Sequence, residues 1–195
     1  MDVSSPENAA AAPEDDWGIL SELPGNPMMW LLIGSELAVF GAAFLSFAVA
    51  RTLQPEVFLE SQDTLNRLLG ALNTLVLITS GFFAALAVRF QSEDKSAKAR
   101  GMIGISALFG FSFLVIKIIE YADKYEAGIG IETNTFFTLY YLLTGFHFLH
   151  VILGLIILGV VAWKNSFENI ETGAAFWHMV DLIWVVLFPL VYLMR

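Results

Sequence analysis

Five apolar blocks dominate this chain, each close to the ~20 residues that a helix needs to cross ~30 Å of hydrocarbon. They run over residues 29–50, 68–88, 101–122, 135–163 and 172–194. A water-soluble domain keeps its apolar residues on restricted faces, whereas here they form unbroken runs. Composition agrees: 57% of residues are hydrophobic and only 15% charged, where a soluble domain carries about a quarter charged. The expectation is an all-α fold, an integral membrane bundle of five transmembrane helices spanning 27–195. Such a chain buries its surface in lipid and against its own helices.

The formal net charge of −9 is local in origin. Residues 1–28 hold six acids (Asp2, Glu7, Glu14, Asp15, Asp16 and Glu22) and neither Lys nor Arg. Residues 1–26 therefore read as an acidic, solvated and flexible tail, ending at Pro24 and Gly25 with Trp30 as an interfacial anchor. This imbalance gives no reason to expect a basic partner, and no nucleic-acid partner is expected either. Cysteine is absent, which excludes disulfides, thiolate catalysis and Cys-ligated metal centres. The start lacks the basic and apolar regions of a cleavable signal peptide, so the first span is expected to direct membrane insertion.

Connections over 51–67, 89–100, 123–134 and 164–171 are too short to fold on their own. Orientation follows the Lys/Arg bias of the loops. Arg89, Lys95, Lys98, Arg100 and Lys164 lie on one side, against Arg51, Arg67, Lys124 and Arg195 on the other. The cluster around the second connection points to a cytoplasmic N-terminus and a periplasmic C-terminus, in a bacterial inner membrane.

Within the first span, Gly34, Ala38, Ala42, Ser46 and Ala50 recur at i+4. Such a stripe lets another backbone approach closely, which drives helix association in lipid. Glu36 lies about 200° round the helix from Gly34, beside Val39, Phe40, Phe44 and Phe47. Its carboxyl must meet another surface, a lipid headgroup or a water-filled cleft.

Ionisable groups inside a span cost ~2.5–3.5 kcal/mol near a helix centre, so each requires a role. Lys117 and Glu120 are i,i+3 neighbours that read as an ion pair near the outer boundary, with Lys117 snorkelling. His147 and His150 share that spacing in the fourth span, as do His178 and Asp181 in the fifth. These four are expected to form an interhelical polar network, with His178 and Asp181 reaching His150 or Glu36. A small haem- or quinone-binding membrane anchor is the alternative, the haem held by two imidazoles between two helices, and three histidines allow one such haem at most. No metal site is assigned, and no phosphate loop or nucleophile–base motif is present. A proton-coupled transporter using Glu36 would call for broken helices and an inverted repeat, neither of which is visible.

Taken in order, these segments resemble subunit III of the haem-copper oxidases. The resemblance rests on Gly34-Ser35-Glu36, on Leu72-Asn73-Thr74-Leu75 with Thr79-Ser80, and on Gly110 and Phe113 spaced from Lys117 and Glu120-Tyr121. Thr144-Gly145-Phe146-His147-Phe148-Leu149-His150-Val151 and Phe176-Trp177-His178-Met179-Val180-Asp181 with Trp184 complete it. It implies a non-catalytic subunit without redox cofactors of its own, packed on the catalytic haem-copper subunit. It further implies a bound phospholipid in a cleft that Glu36 borders. Lys117 stands where oxidase members usually have Gln, and Phe148 where they often have Gly. With Thr133-Asn134 and Asn169-Ile170-Glu171-Thr172-Gly173, Lys117 looks closest to the subunit III-like accessory protein of bacterial nitric oxide reductase. A true subunit III of a cytochrome c or quinol oxidase is the alternative that the resemblance carries.

Overall fold

The computed structural model describes residues 27–164 and 166–194. The acidic tail, including Pro24 and Gly25, and Arg195 lie outside the described residues. Helix α1 covers Pro27–Leu53, α2 Pro55–Asp63, α3 Arg67–Ser92, α4 Ser96–Glu126, α5 Thr135–Lys164 and α6 Phe167–Phe188, continued by a π-helical turn over Pro189–Leu193. Five of these helices are long and apolar enough to cross a membrane, the fifth counted through the π turn. The five-span bundle expected from the apolar blocks is thus present. The helices overrun those blocks at most ends: α4 has 31 residues and α5 has 30, or ~45 Å each at 1.5 Å per residue.

Helix α2 was not anticipated. Its 9 residues are mostly polar, so no apolar run announces it. Pro55 at its first turn has a φ already suited to a helix and lacks an N–H that would go unpaired. Phe58 then enters the core, 5.2 Å from the Phe47 ring and 5.3 Å from Phe136. Gln62 donates from Nε2 to the Val191 carbonyl at 2.8 Å, tying α2 to the π turn.

Helix ends follow local chemistry. The Asn66 side chain accepts the Leu69 N–H at 3.1 Å and caps α3; the Ser166 hydroxyl accepts the Asn169 N–H at 3.3 Å and caps α6. Between α3 and α4 the chain reverses through Asp94, whose φ of 56° is left-handed, a conformation that Asn and Asp tolerate better than most residues. Beside it, the Lys95 ammonium donates to Glu93 at 2.6 Å. That hydrogen bond, then the Lys95 charge, hold the Glu93 carboxyl below the usual carboxylate range. Where α6 meets Pro189, the missing N–H and the ring interrupt the i−4 ladder, and the chain widens into the π turn.

Helix α6 is the hub of the bundle, packing on α3, α5 and α1. The six-membered ring of Trp177 slots between α4 and α5 over two glycines. A Cβ on Gly110 or on Gly154 would come within 2.6 Å of it. Its indole Nε1 donates to Ser80 Oγ at 3.0 Å, and Ser80 donates onward to the Ser106 carbonyl at 2.6 Å.

Helix α1 sits at the edge. It buries Ile33, Phe40 and Phe47, spaced seven residues apart in one narrow seam. Gly34, Ala38, Ala42 and Ser46 are exposed, and of the small-residue stripe only Ala50 packs half-buried against the core. Most of the stripe therefore faces outward from the bundle. Three large side chains make more dispersion contacts in the seam than small ones would, and their face turns inward.

Candidate functional site

Three buried or half-buried polar centres follow the bundle. Toward the C-terminal end of α4, Lys117 and Glu120 lie one turn apart, α5 contributes Tyr140, and the π turn contributes Tyr192. Lys117 Nζ donates to Glu120 Oε2 at 3.1 Å, to Tyr140 Oη at 3.2 Å and to Tyr192 Oη at 2.7 Å. Both phenols donate in turn to Glu120 Oε1, Tyr140 at 2.8 Å and Tyr192 at 2.5 Å. An ammonium has three donors, and all three are used. The rings of Tyr121, Tyr140, Trp184 and Tyr192 lie 4.9–5.4 Å from Nζ.

The expected ion pair is therefore formed, but Lys117 does not snorkel. Its side chain is wholly buried, because two phenols and a carboxylate meet its charge within the bundle. Tyr140 and Tyr192 were not foreseen as members; a tyrosine within an apolar run was the available signal. Next to the cage, Tyr121 Oη and Thr144 Oγ1 are 2.7 Å apart, and Thr144 donates to the Tyr140 carbonyl at 2.6 Å. Lys124 donates to the Thr64 carbonyl, joining the end of α4 to the α2–α3 connection. With every donor and acceptor engaged, the cage can clamp helices; it offers no free group to a substrate.

The second centre joins α1 to α5. His150 Nε2 lies 3.0 Å from Glu36 Oε2, and His150 Nδ1 lies 2.8 Å from the Phe146 carbonyl. A carbonyl only accepts, so Nδ1 carries a proton. A single further proton must then sit between Nε2 and Oε2, on the ring as an imidazolium or on the carboxyl. Glu36 remains partly exposed. Phe146, 4.5 Å from the His150 ring, also lines an apolar groove with Ala43, Ser46, Leu139, Leu142 and Leu143.

His147 takes no part in this contact. Its ring is fully buried, 5.2 Å from Trp184, 5.6 Å from Phe113 and 6.3 Å from Phe40. Neither ring nitrogen has a hydrogen-bond partner among the described residues. One turn of helix separates His147 from His150, and the crowded aromatic interior claims the first while the α1 seam claims the second.

The third centre is His178 with Asp181 on α6. Asp181 Oδ2 packs on the Gly81 backbone of α3, and lies 3.6 Å from His178 Nδ1, beyond hydrogen-bond length. His178 does not reach His150 or Glu36; its side chain is 45% exposed on the outside of the bundle. The expected four-residue network over His147, His150, His178 and Asp181 is thus replaced by three separate settings. Sequence spacing places residues on a helix face but not against a neighbour. No group of three or more His, Asp or Glu side chains among the described residues could hold a metal ion.

Residues 26–195 match the family model described as cytochrome c oxidase subunit III. The chain belongs to that family. It is 32% identical over 173 residues to cytochrome c oxidase subunit 3 of Synechocystis sp., covering 84% of this chain and 73% of the relative. It is 31% identical to the Thermostichus vulcanus protein of the same name, covering 82% of each. Cytochrome bo(3) ubiquinol oxidase subunit 3 of Pseudomonas putida is 26% identical over 176 residues, covering 85% of this chain and 83% of the relative. These names are those of oxidases, so the expected closeness to the nitric oxide reductase branch gains no support from them. The fold expectation and the subunit III resemblance both stand.

Proposed function

We propose that this chain is the non-catalytic third subunit of an oxygen-reducing haem-copper oxidase, packed beside the catalytic subunit and stabilising it. Membership of the subunit III family carries this reading. The chain is similar both to cytochrome c oxidase subunits, one of them 32% identical, and to ubiquinol oxidase subunits, one of them 26% identical, and in this reading the electron donor belongs to the partner subunits. The saturated hydrogen bonding of the Lys117 cage supports a structural role. In this reading the chain carries no redox cofactor of its own.

The protein would span a bacterial inner membrane with its N-terminus inside. Arg89, Lys95, Lys98, Arg100 and Lys164 gather at the ends of α3, α4 and α5 that would face the cytoplasm, which accords with the inside bias of basic loops. The groove between α1 and α5 would seat a phospholipid acyl chain, with the Glu36–His150 pair beside it.

A second reading, the accessory subunit of a nitric oxide reductase, is favoured by Lys117 itself. Oxidase members usually have Gln there, and the ammonium is built into a cage with Tyr140 and Tyr192. One experiment separates the two. The tagged chain, purified from native membranes in mild detergent, should bring a haem-containing catalytic subunit that consumes oxygen. A co-purified subunit that consumes nitric oxide instead selects the second reading. A colourless preparation lacking any haem protein overturns both.

A further inference from the structure

His178 presents a physical difficulty that the fold leaves open. It is 11 residues into a span of 27, which puts it ~16 Å from the helix start at 1.5 Å per residue. That depth is the middle of the bilayer, beyond the reach of water or lipid headgroups. The side chain is nonetheless 45% exposed on the outer surface of the bundle. An imidazole on a single methylene stem cannot snorkel to the interface as Lys and Arg do.

Its surroundings are otherwise those of a lipid-facing surface. Along α6, Leu182 and Val185 continue the same exposed face. On α3, Ile78 and Phe82 are exposed on either side of Gly81. Behind the imidazole stands Asp181, its side chain 11% exposed, with Oδ1 lacking a hydrogen-bond partner among the described residues and Oδ2 3.6 Å from His178 Nδ1. A neutral imidazole carries one donor and one acceptor nitrogen in either tautomer, and both need partners. Nε2 has no partner among the described residues, and hydrocarbon supplies none.

We infer that His178 is the polar contact through which this chain docks on a transmembrane helix of its catalytic partner, hydrogen-bonding a polar side chain there. The inference rests on the accessory-subunit reading above and adds the surface: the α6 face of His178, Leu182 and Val185, flanked by Ile78 and Phe82 of α3. An interhelical hydrogen bond of this kind fixes orientation between otherwise apolar surfaces.

The test combines a photo-cross-linking residue at Leu182 with a control at Leu108, exposed on α4, in native membranes. Cross-linking of the catalytic subunit from Leu182 and not from Leu108 is the expected result. Cross-linking from Leu108 alone overturns the inference while the accessory-subunit reading survives. Cross-linking from neither position overturns both. His178→Leu supplies the energetic arm, because Leu suits a lipid-facing site better than His and leaves the isolated chain folded. Retention of the catalytic subunit in detergent should fall about three- to tenfold, the effect of one interhelical hydrogen bond. Retention equal to wild type, at unchanged helical content, overturns the inference.

Discussion

Lys117 shows how a charge is tolerated inside a membrane bundle. Taking an ammonium and a carboxylate out of water costs several kcal/mol per ion, and only full hydrogen bonding with good geometry offsets that cost. Tyr140 and Tyr192 complete it here, each phenol accepting from Lys117 and donating to Glu120. Lys117→Met should therefore leave Glu120 as an uncompensated buried charge and destabilise the chain by ~3–5 kcal/mol. Lys117→Met combined with Glu120→Gln should recover most of that loss. Thermal unfolding in detergent measures both; equal loss in the single and the double variant would show that the tyrosines, not the charge pair, carry the clamp. His147 is the opposite case, a buried ring with neither nitrogen partnered. Leaving a buried donor unpaired costs ~1–3 kcal/mol, so His147→Leu should be neutral or stabilising in the same assay. A drop of more than ~2 kcal/mol would mean that the imidazole has a polar role that the packing does not reveal.

At the scale of helices, the bundle is held by where large rings meet missing side chains. Trp177 lies between α4 and α5 because Gly110 and Gly154 leave room for it, and its Nε1–H then reaches Ser80 on α3. One residue thus links four helices. Gly110→Ala should displace the indole and cost ~1–3 kcal/mol through overpacking, read as a lower unfolding temperature and a shift in tryptophan fluorescence. An unchanged melting temperature would mean that α4 can slide without loss. The π turn after Pro189 belongs to the same scale. It brings Tyr192 onto Lys117 and Val191 onto Gln62, so a helix end serves as the lid of the polar cage.

Over the whole molecule, the five crossings and their order were readable from the apolar blocks alone. The proposed orientation rests on the Lys/Arg bias of the loops and is open to a direct check. The chain has no cysteine, so single cysteines can be placed without a background. Lys98→Cys should resist a membrane-impermeant thiol reagent in intact cells and react only after permeabilisation, while Glu132→Cys should react at once. The reverse pattern would invert the topology. The chain by itself determined the number of spans and the family, because hydrophobic length and in-register motifs are local and one-dimensional. The Lys117–Glu120 pair was equally legible, since i,i+3 residues meet on any helix. Only the tertiary structure decided that α1 turns its phenylalanines inward and its small residues outward. Only it parted His150 toward Glu36, His147 into an aromatic cage and His178 to the outer surface. Spacing along a helix specifies a face, and what that face meets depends on which helices pack beside it and how closely their glycines let them come.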